Sequence, residues 1–445
     1  MPKPTRRSIA DALRVGQVED DELTIILNSV CPRGAQFRPT EVEYRTVQDD
    51  VVLTLTYRDG VIVDATAGPS LTTELEAELS SRIDAELVHG AKTAAVRSVL
   101  FCDRPVAGWW RYDDEFQIAP APAYAPRADE LSADHPFILE VTHHPSTWWE
   151  IQQQRARRRT YDIALVLSLA LRYHLRIPGP QARKHWVLVR DPAADALRFD
   201  ARWCQEGYFI EGFDQYVDEL SAPGHDATPL PLVPGADYYG PGFMDYPFEL
   251  SGPHELADIF ATFSVLAGDE RERFLRACYW QYLGSTMWSQ SQSLYLTCLI
   301  NSVECLASIG PERSEPEGPT LLFKALMKRL GPGAPSGTRV DNVYGARSHV
   351  THGERLMHYD QAPFRMALDQ GSAIDRQAMD DARVLSRGAI LNWLWAHNPA
   401  AHGHLVSKGI DTRKPAKAGT RSSVTVITPQ DEDRAGGSSS DTPSS

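Results

Sequence analysis

The spacing of apolar residues changes character across one proline-rich stretch, and that change limits what the chain can fold into more than any other feature. From about Glu41 to His143 they come in short alternating or β-branched runs. Examples are Val51-Val52-Leu53-Thr54-Leu55-Thr56-Tyr57, Val61-Ile62-Val63, Val96-Arg97-Ser98-Val99-Leu100-Phe101 and Phe137-Ile138-Leu139-Glu140-Val141, which carry the two-residue period of strands. Asp59-Gly60 between the first two predicts a hairpin, and one helix is expected from about Leu71 to Val88. Beyond residue 254 the period is helical: Leu256, Ile259, Phe260, Phe263 and Leu266 fall at i, i+3, i+4, i+7 and i+10. The fold class these patterns dictate is an α+β N-terminal region followed by an all-α helical bundle.

Between the two lies a long helix, expected from Thr147, where Thr147-Trp148-Trp149-Glu150 has capping-box spacing, to Ile177 before Pro178. Its first half is polar and basic. Tyr161 to Leu171 is apolar nearly all round, so that half must be buried. Strand-like segments at His185 to Val189 and around Leu197 to Tyr208 extend the α+β unit to about residue 220. Prolines at 223, 229, 231, 234, 241, 247 and 253 then mark a boundary. Its aromatic residues Tyr238, Tyr239, Phe243, Tyr246 and Phe248 suit a segment packed along a surface rather than a free linker. Further helices are expected from Asp269 to about Trp288, Ser291 to Ser308, Thr320 to Leu330, Val340 to His352 and Ile374 to His397. The reading divides the chain into an N-terminal extension (1–40), an α+β domain (41–220), a Pro/Gly-rich linker (221–254), a helical bundle (255–398) and a polar, disordered tail (399–445).

Composition sets outer limits. At 445 residues with a 42% apolar and 23% charged share, the chain can bury more than one sizeable core. The longest strongly apolar run, Ile163 to Leu171, is far short of the ~20 residues that cross a bilayer, so no membrane partner is expected. Six cysteines without a Cys-x-x-Cys pair read as reduced thiols in a cytoplasm. The net charge of −14 argues against a protein that grips nucleic acid over its whole surface, but not against a local basic patch. Arg155, Arg157, Arg158 and Arg159 form such a patch, as nucleic-acid contacts or as a solvated helix face.

The residues that carry chemistry lie near the end of the helical half, at Tyr344-Gly345-Ala346-Arg347-Ser348-His349-Val350-Thr351-His352-Gly353. An arginine, a small hydroxyl and a histidine stand together without a metal-ligand pattern, which is equipment for handling a phosphodiester by acid-base chemistry alone. The Arg-x4-His spacing followed by glycine resembles the signature of the HEPN superfamily, and Tyr-x-x-Arg-Ser-x-x-x-His-Gly is most similar to its ApeA-type branch. The order of helices over residues 255 to 398, with Val303-Glu304-Cys305-Leu306 near the end of the second long one, resembles the HEPN arrangement too. The resemblance implies a ribonuclease without metal or other cofactor, paired as a homodimer with a composite site. It also implies a role in defence against phage, with the nuclease held inactive until a phage- or host-derived activator reaches the N-terminal domain.

RNA supplies its own nucleophile, the 2′-hydroxyl, so such an enzyme needs a proton acceptor, a proton donor for the leaving 5′-oxygen and a cation for the phosphate charge. His352 suits the first or second role, and the carbonyl end of a helix stopping at Gly353 favours the general acid. Arg347 suits the third. Ser348 can hydrogen-bond the phosphate, and Tyr344 and Glu304 can support Arg347. Five residues of helix turn ~500° and rise ~7.5 Å, placing Arg347 and His352 about 140° apart, so two copies assemble a site more readily than one. Each residue also has a plain structural reading. Arg347 can form an ion pair with Asp341 or Glu354, His352 can be an ordinary helix-end histidine, Tyr344 can belong to the core, and Glu304 can be exposed. The alternative function is therefore a catalytically silent helical module for dimerisation or nucleotide and RNA binding. A third is a scaffold whose N-terminal half does the main work. His397, His402 and His404 lack partners at metal-ligand spacing, and His143-His144, between a strand and the capped helix, can line a pocket of the N-terminal domain or serve its structure.

Overall fold

The computed structural model describes residues 7–31, 35–89, 93–125, 135–176, 185–190, 199–204, 210, 213–224, 227–239, 249–306, 318–333, 335–361 and 370–398. The first unit comprises α1 (Asp20–Val30), β1 (Ala35–Phe37), β2 (Glu41–Arg45), β3 (Val51–Arg58), β4 (Val61–Ala67) and α2 (Thr73–His89). The next elements are β5 (Ala94–Cys102), β6 (Trp110–Tyr112), β7 (Phe116–Pro120), β8 (His135–His143), α3 (Trp149–Ala170), β9 (Leu175–Arg176), β10 (His185–Arg190), β11 (Phe199–Cys204) and β12 (Tyr216–Val217). The remainder is β13 (Leu232–Val233), α4 (Gly235–Tyr238), β14 (Gly252–Pro253), α5 (Leu256–Val265), α6 (Gly268–Met287), α7 (Gln292–Glu304), α8 (Pro319–Leu330), α9 (Gly337–Thr351), α10 (His358–Gln361) and α11 (Gln370–Trp395). The chain is thus an N-terminal region of antiparallel sheets with helices, followed by a helical region. Among the described residues no helix is long and apolar enough to cross a membrane.

The first sheet runs β1-β2-β3-β4, all antiparallel. Its β3–β4 turn is the Asp59-Gly60 hairpin, with φ of +54° and +84° at the two central residues and Arg58 paired to Val61. This left-handed conformation is where Asp is tolerated and Gly is at ease. Leu53 and Leu55 of β3, Leu23, Ile26 and Leu27 of α1, and Leu79 and Ile83 of α2 close a separate small core. The second sheet runs β12-β5-β8-β7-β6, with β9 also on β5.

Helix α3 joins everything. Residues 163–171 are all buried, wedged between the β5–β8 face and helices α5 and α6. The expected all-round burial of this half is therefore met, but the helix is shorter at both ends than its sequence suggests. Thr147 makes no cap: the N-cap is Trp148, without a side-chain cap bond, and the Ser146 hydroxyl accepts the Trp148 N–H instead, at 2.9 Å. The helix stops at Ala170, not Ile177, because Leu171 is already extended and the chain peels off to lay Leu175 and Arg176 on β5.

The Pro/Gly-rich stretch does not separate two cores. One continuous apolar cluster contains Leu100, Phe116 and Leu139 of the sheet, Leu230, Tyr238 and Leu250 of the stretch, and Phe260, Leu296 and Leu394 of the helices. Phe116 of β7 meets Phe260 of α5 with ring centroids 4.5 Å apart, and Trp110 and Tyr112 flank the pair. The stretch itself is pinned by backbone bonds on both sides of Trp109, from Trp109 N–H to Thr228 and from Leu230 N–H to Trp109. Gly108 must be glycine there, since a Cβ would fall 2.4 Å from the Leu230 Cα. Phe243, Tyr246 and Phe248, and the tail from 399 on, lie outside the described residues.

The N-terminal unit is fastened to this body by Ile151 and Trp148, which pack on its core, and by Arg155 of α3. Its Nε and Nη2 donate to the two oxygens of Glu22, both at 2.6 Å, and Nη1 donates to Glu86 and to the Pro145 carbonyl, both at 3.0 Å. Glu22 and Glu86 are buried. Removing one partner of such a pair leaves an uncompensated buried charge. Arg155→Ala is accordingly expected to destabilise the N-terminal unit by about 3–5 kcal/mol, read as early urea unfolding or proteolysis within residues 7–89. A loss under about 1 kcal/mol, the range of exposed pairs, contradicts the assignment.

Candidate active site

Helix α9 carries the motif. Its N-cap is Ser336, whose hydroxyl accepts the Arg339 N–H at 3.3 Å, and Arg339 Nε is held by Asp381 of α11 at 2.6 Å. The other end is a Schellman cap with His352 as C-cap. The Glu354 N–H returns to the His349 carbonyl at 2.9 Å and the Gly353 N–H to Val350 at 3.1 Å, with Gly353 at φ +71°. The glycine of the motif is thus needed to end the helix, and the ending sets His352 on its rim.

The guanidinium of Arg347 leans against the last turn of α7. Nη2 donates to Glu304 Oε2 at 3.2 Å and to Asn301 Oδ1 at 3.4 Å. The Arg347 side chain is 17% exposed and that of Glu304 24%. Among the described residues Nε is buried without a partner, whereas Nη1, also without one, is not buried. Burial raises the Glu304 carboxyl above its ordinary value, against the pull of Arg347 and of the Tyr344 hydroxyl. Tyr344 is itself buried, its ring 5.0 Å from that of Phe323 and 5.7 Å from the Arg347 guanidinium carbon, so it both fills the core and backs the arginine.

Of the ion-pair partners considered from sequence for Arg347, Glu304 is the one it meets. Asp341 pairs with Lys324 at 2.8 Å and Glu354 with His349. Ser348 is half-buried, and its carbonyl accepts the His352 N–H at 3.0 Å. His352 is exposed, and among the described residues its ring has no hydrogen-bond or ion-pair partner. The structure therefore brings Arg347, Glu304 and Tyr344 together and leaves His352 on another face of the same helix, the separation that regular geometry requires. Asn301 was not anticipated, although its place one turn before Glu304 is the spacing at which two helix residues share a face.

The arginine run of α3 does not form an open basic face. Arg155 is spent on Glu22 and Glu86, Arg158 pairs with Glu19 and Asp21, and Arg159 pairs with Glu115. Arg157 is exposed and, among the described residues, without an ion pair. Carboxylates at the start of α1, in α2 and beside β7 neutralise all of this run except Arg157. No group of three or more His, Cys, Asp or Glu among the described residues could hold a metal. His402 and His404 lie outside them. No family model, curated protein or solved structure matches the chain.

The position of α7, and so of Asn301 and Glu304, is fixed at its other end by Asp360 of α10. That carboxylate accepts the Ser291 hydroxyl at 2.9 Å and the N–H groups of Gln292 and Ser293 at 2.9 and 2.8 Å. Burial raises the Asp360 carboxyl, but the bonds from Ser293, Ser291 and Gln292 outweigh it and hold the group below the usual carboxylate range. Since the folded value lies below the unfolded one, its stabilisation is complete above the unfolded value and is lost as pH falls through the folded value. Asp360→Asn is expected to cost about 1–2 kcal/mol at pH 7, and the gap to wild type should shrink as pH drops below about 4. Urea unfolding of both proteins across that range checks it; a gap independent of pH contradicts it.

Proposed function

We propose that the helical region is a metal-independent endoribonuclease of the HEPN type, regulated by the N-terminal region and used in defence against phage. The observation that carries this reading is the arginine of the Arg-x4-His motif, fixed by Glu304 and Asn301 through Nη2 with Nη1 unpartnered among the described residues, on a helix whose rim presents His352. In this mechanism His352 takes the 2′-hydroxyl proton or supplies the proton to the leaving 5′-oxygen, and Arg347 Nη1 stabilises charge on the phosphate as the cyclic ester forms. Glu304 and Asn301 act as positioning residues. They restrict the guanidinium to one orientation before substrate arrives, which lowers the cost of ordering it on binding.

Arg347 and His352 of one chain diverge on α9, so two copies related by a two-fold axis supply the site, arginine from one and histidine from its partner. The second reading, a silent helical module, is favoured by one specific fact: the Arg347–Glu304 pair, the packed Tyr344 and the Gly353 cap give most of the motif a structural task.

Cleavage of structured and single-stranded RNA in excess EDTA separates the two. Wild-type protein is expected to leave 2′,3′-cyclic phosphate ends, and Arg347→Ala and His352→Ala to lose about 100-fold or more. His352 is exposed, so its variant folds normally. Growth arrest on expression, relieved by both substitutions, is the companion measurement where an activator is required. Mixing the two inactive variants should restore about a quarter of wild-type activity, because half of randomly paired dimers are mixed and each contains one intact composite site. Wild-type activity in His352→Ala, or neither cleavage nor arrest by the wild type, overturns the ribonuclease reading. Active protein that gains nothing on mixing overturns the shared site.

A further inference from the structure

His352 and Arg347 are held in different ways. The arginine has side-chain partners, Glu304 and Asn301, whereas the His352 ring has none among the described residues. A ring of this kind is aimed only by the direction of its Cα–Cβ bond, and so by the backbone on either side of it. On one side that backbone is α9. On the other it is the segment from Gly353 to Gln361, which forms a single short helix, α10, yet is bonded to both α7 and α11.

Asp375 of α11 is the residue that draws this segment in. Its side chain is 2% exposed. Oδ2 accepts the His358 N–H at 2.8 Å, and Oδ1 lies 2.9 Å from Arg355 Nη2, an ion pair off the line of a hydrogen bond. A buried carboxylate is unfavourable unless it is paired, and here both compensating groups belong to the segment that follows His352. Between them the Met357 N–H donates to Ser293 Oγ of α7 at 2.9 Å. Arg355 also keeps its own N–H on the His349 carbonyl at 3.4 Å, which it shares with the Glu354 N–H. The tether from Asp375 therefore reaches back into the last turn of α9 and brackets His352.

We propose that Asp375 is a positioning residue for His352, acting through Arg355 and residues 355–358 to fix the end of α9 against α11. Its effect on rate rests on the ribonuclease reading; its effect on the helix end does not. The two groups of the motif are then held by separate clamps, the arginine from the last turn of α7 and the histidine from α11. A clamp lost at Asp375 affects what His352 does and leaves Arg347 in place.

Asp375→Asn keeps an oxygen for the His358 N–H but loses the charge that holds Arg355. That arginine, 39% exposed, can turn to water, so the full-length variant is expected to fold. Amide exchange should speed up by about tenfold or more over residues 352–358 and stay as in wild type over 341–346. RNA cleavage should fall by about tenfold in kcat, with KM within about twofold of wild type. In a His352→Ala background the same substitution should cost nothing more, and in an Arg347→Ala background it should cost the full factor. Arg355→Ala should repeat the loss and Arg355→Lys recover most of it. Unchanged exchange over 352–358, equal losses in the two backgrounds, or faster exchange with wild-type cleavage overturns the proposal. Wild-type protein that neither cleaves RNA nor arrests growth overturns the ribonuclease reading and the effect on rate with it, while the exchange comparison still decides whether Asp375 holds the end of α9.

Discussion

The burial of one helical half-turn after another along residues 163–171 of α3 is the constraint on which the rest depends. A segment apolar on every side must be covered on every side. Here β5 and β8 cover one side and α5 and α6 the other. Fully burying a large aliphatic side chain is worth about 1.5–3 kcal/mol, and this stretch holds six such residues, Ile163, Leu165, Val166, Leu167, Leu169 and Leu171. No arrangement in which sheet and helices drift apart can recover that energy. The same helix changes character four residues earlier. Its first half carries arginines, and it meets the N-terminal unit through the Arg155 ion pairs and through apolar contacts of Ile151 and of Trp148 at its N-cap. The body is held by apolar area, whereas the N-terminal unit is held by a largely buried ion-pair cluster beside a smaller apolar contact, and burial shields that cluster from salt.

The site inherits its order from the same packing. Asn301 and Glu304 end a helix whose start is held by Asp360, and the arginine they hold sits on a helix pinned at Ser336 and closed at Gly353. A guanidinium placed in this way has little conformational freedom left to lose. The pairing has a cost, visible in the raised Glu304 carboxyl: burial disfavours that charge more than its partners favour it. A purely structural ion pair at this position would be replaceable by apolar side chains without loss.

How far the chain could be read from its residues depended on how local the cause was. The Asp59-Gly60 hairpin, the strand run at 51–57 and the helices expected at 256–266, 320–330 and 340–352 follow from turn chemistry and period, which act within a few residues, although the Ser336 cap starts the last of them three residues earlier. The end of α3 does not, because its cause is distant: Tyr238, 66 positions on, donates nothing to the helix but holds Arg172 through its carbonyl at 2.9 Å and accepts the Arg172 N–H at 3.1 Å. That capture turns the chain at a point where propensity would continue the helix. The shared core across the proline-rich stretch, the carboxylates that neutralise Arg155, Arg158 and Arg159, and the cap from Asp360 were hidden for the same reason. In the site, the Arg347–Glu304 contact was among the pairings the sequence allowed, while the choice over Asp341 and Glu354 depended on how α7 packs against α9.

If α3 fuses sheet and helices, they cannot open separately. Native-state hydrogen exchange tests this most directly, by comparing the opening free energies of amides in β8, in residues 163–170 of α3, and in α7 and α11 over a series of sub-denaturing urea concentrations. One common opening, with the same free energy and urea dependence for all four, is the expected result, with the N-terminal unit opening at lower energy. A β8 and α3 opening well below that of α7 and α11 would contradict it, and would return the molecule to two independent domains divided at the prolines.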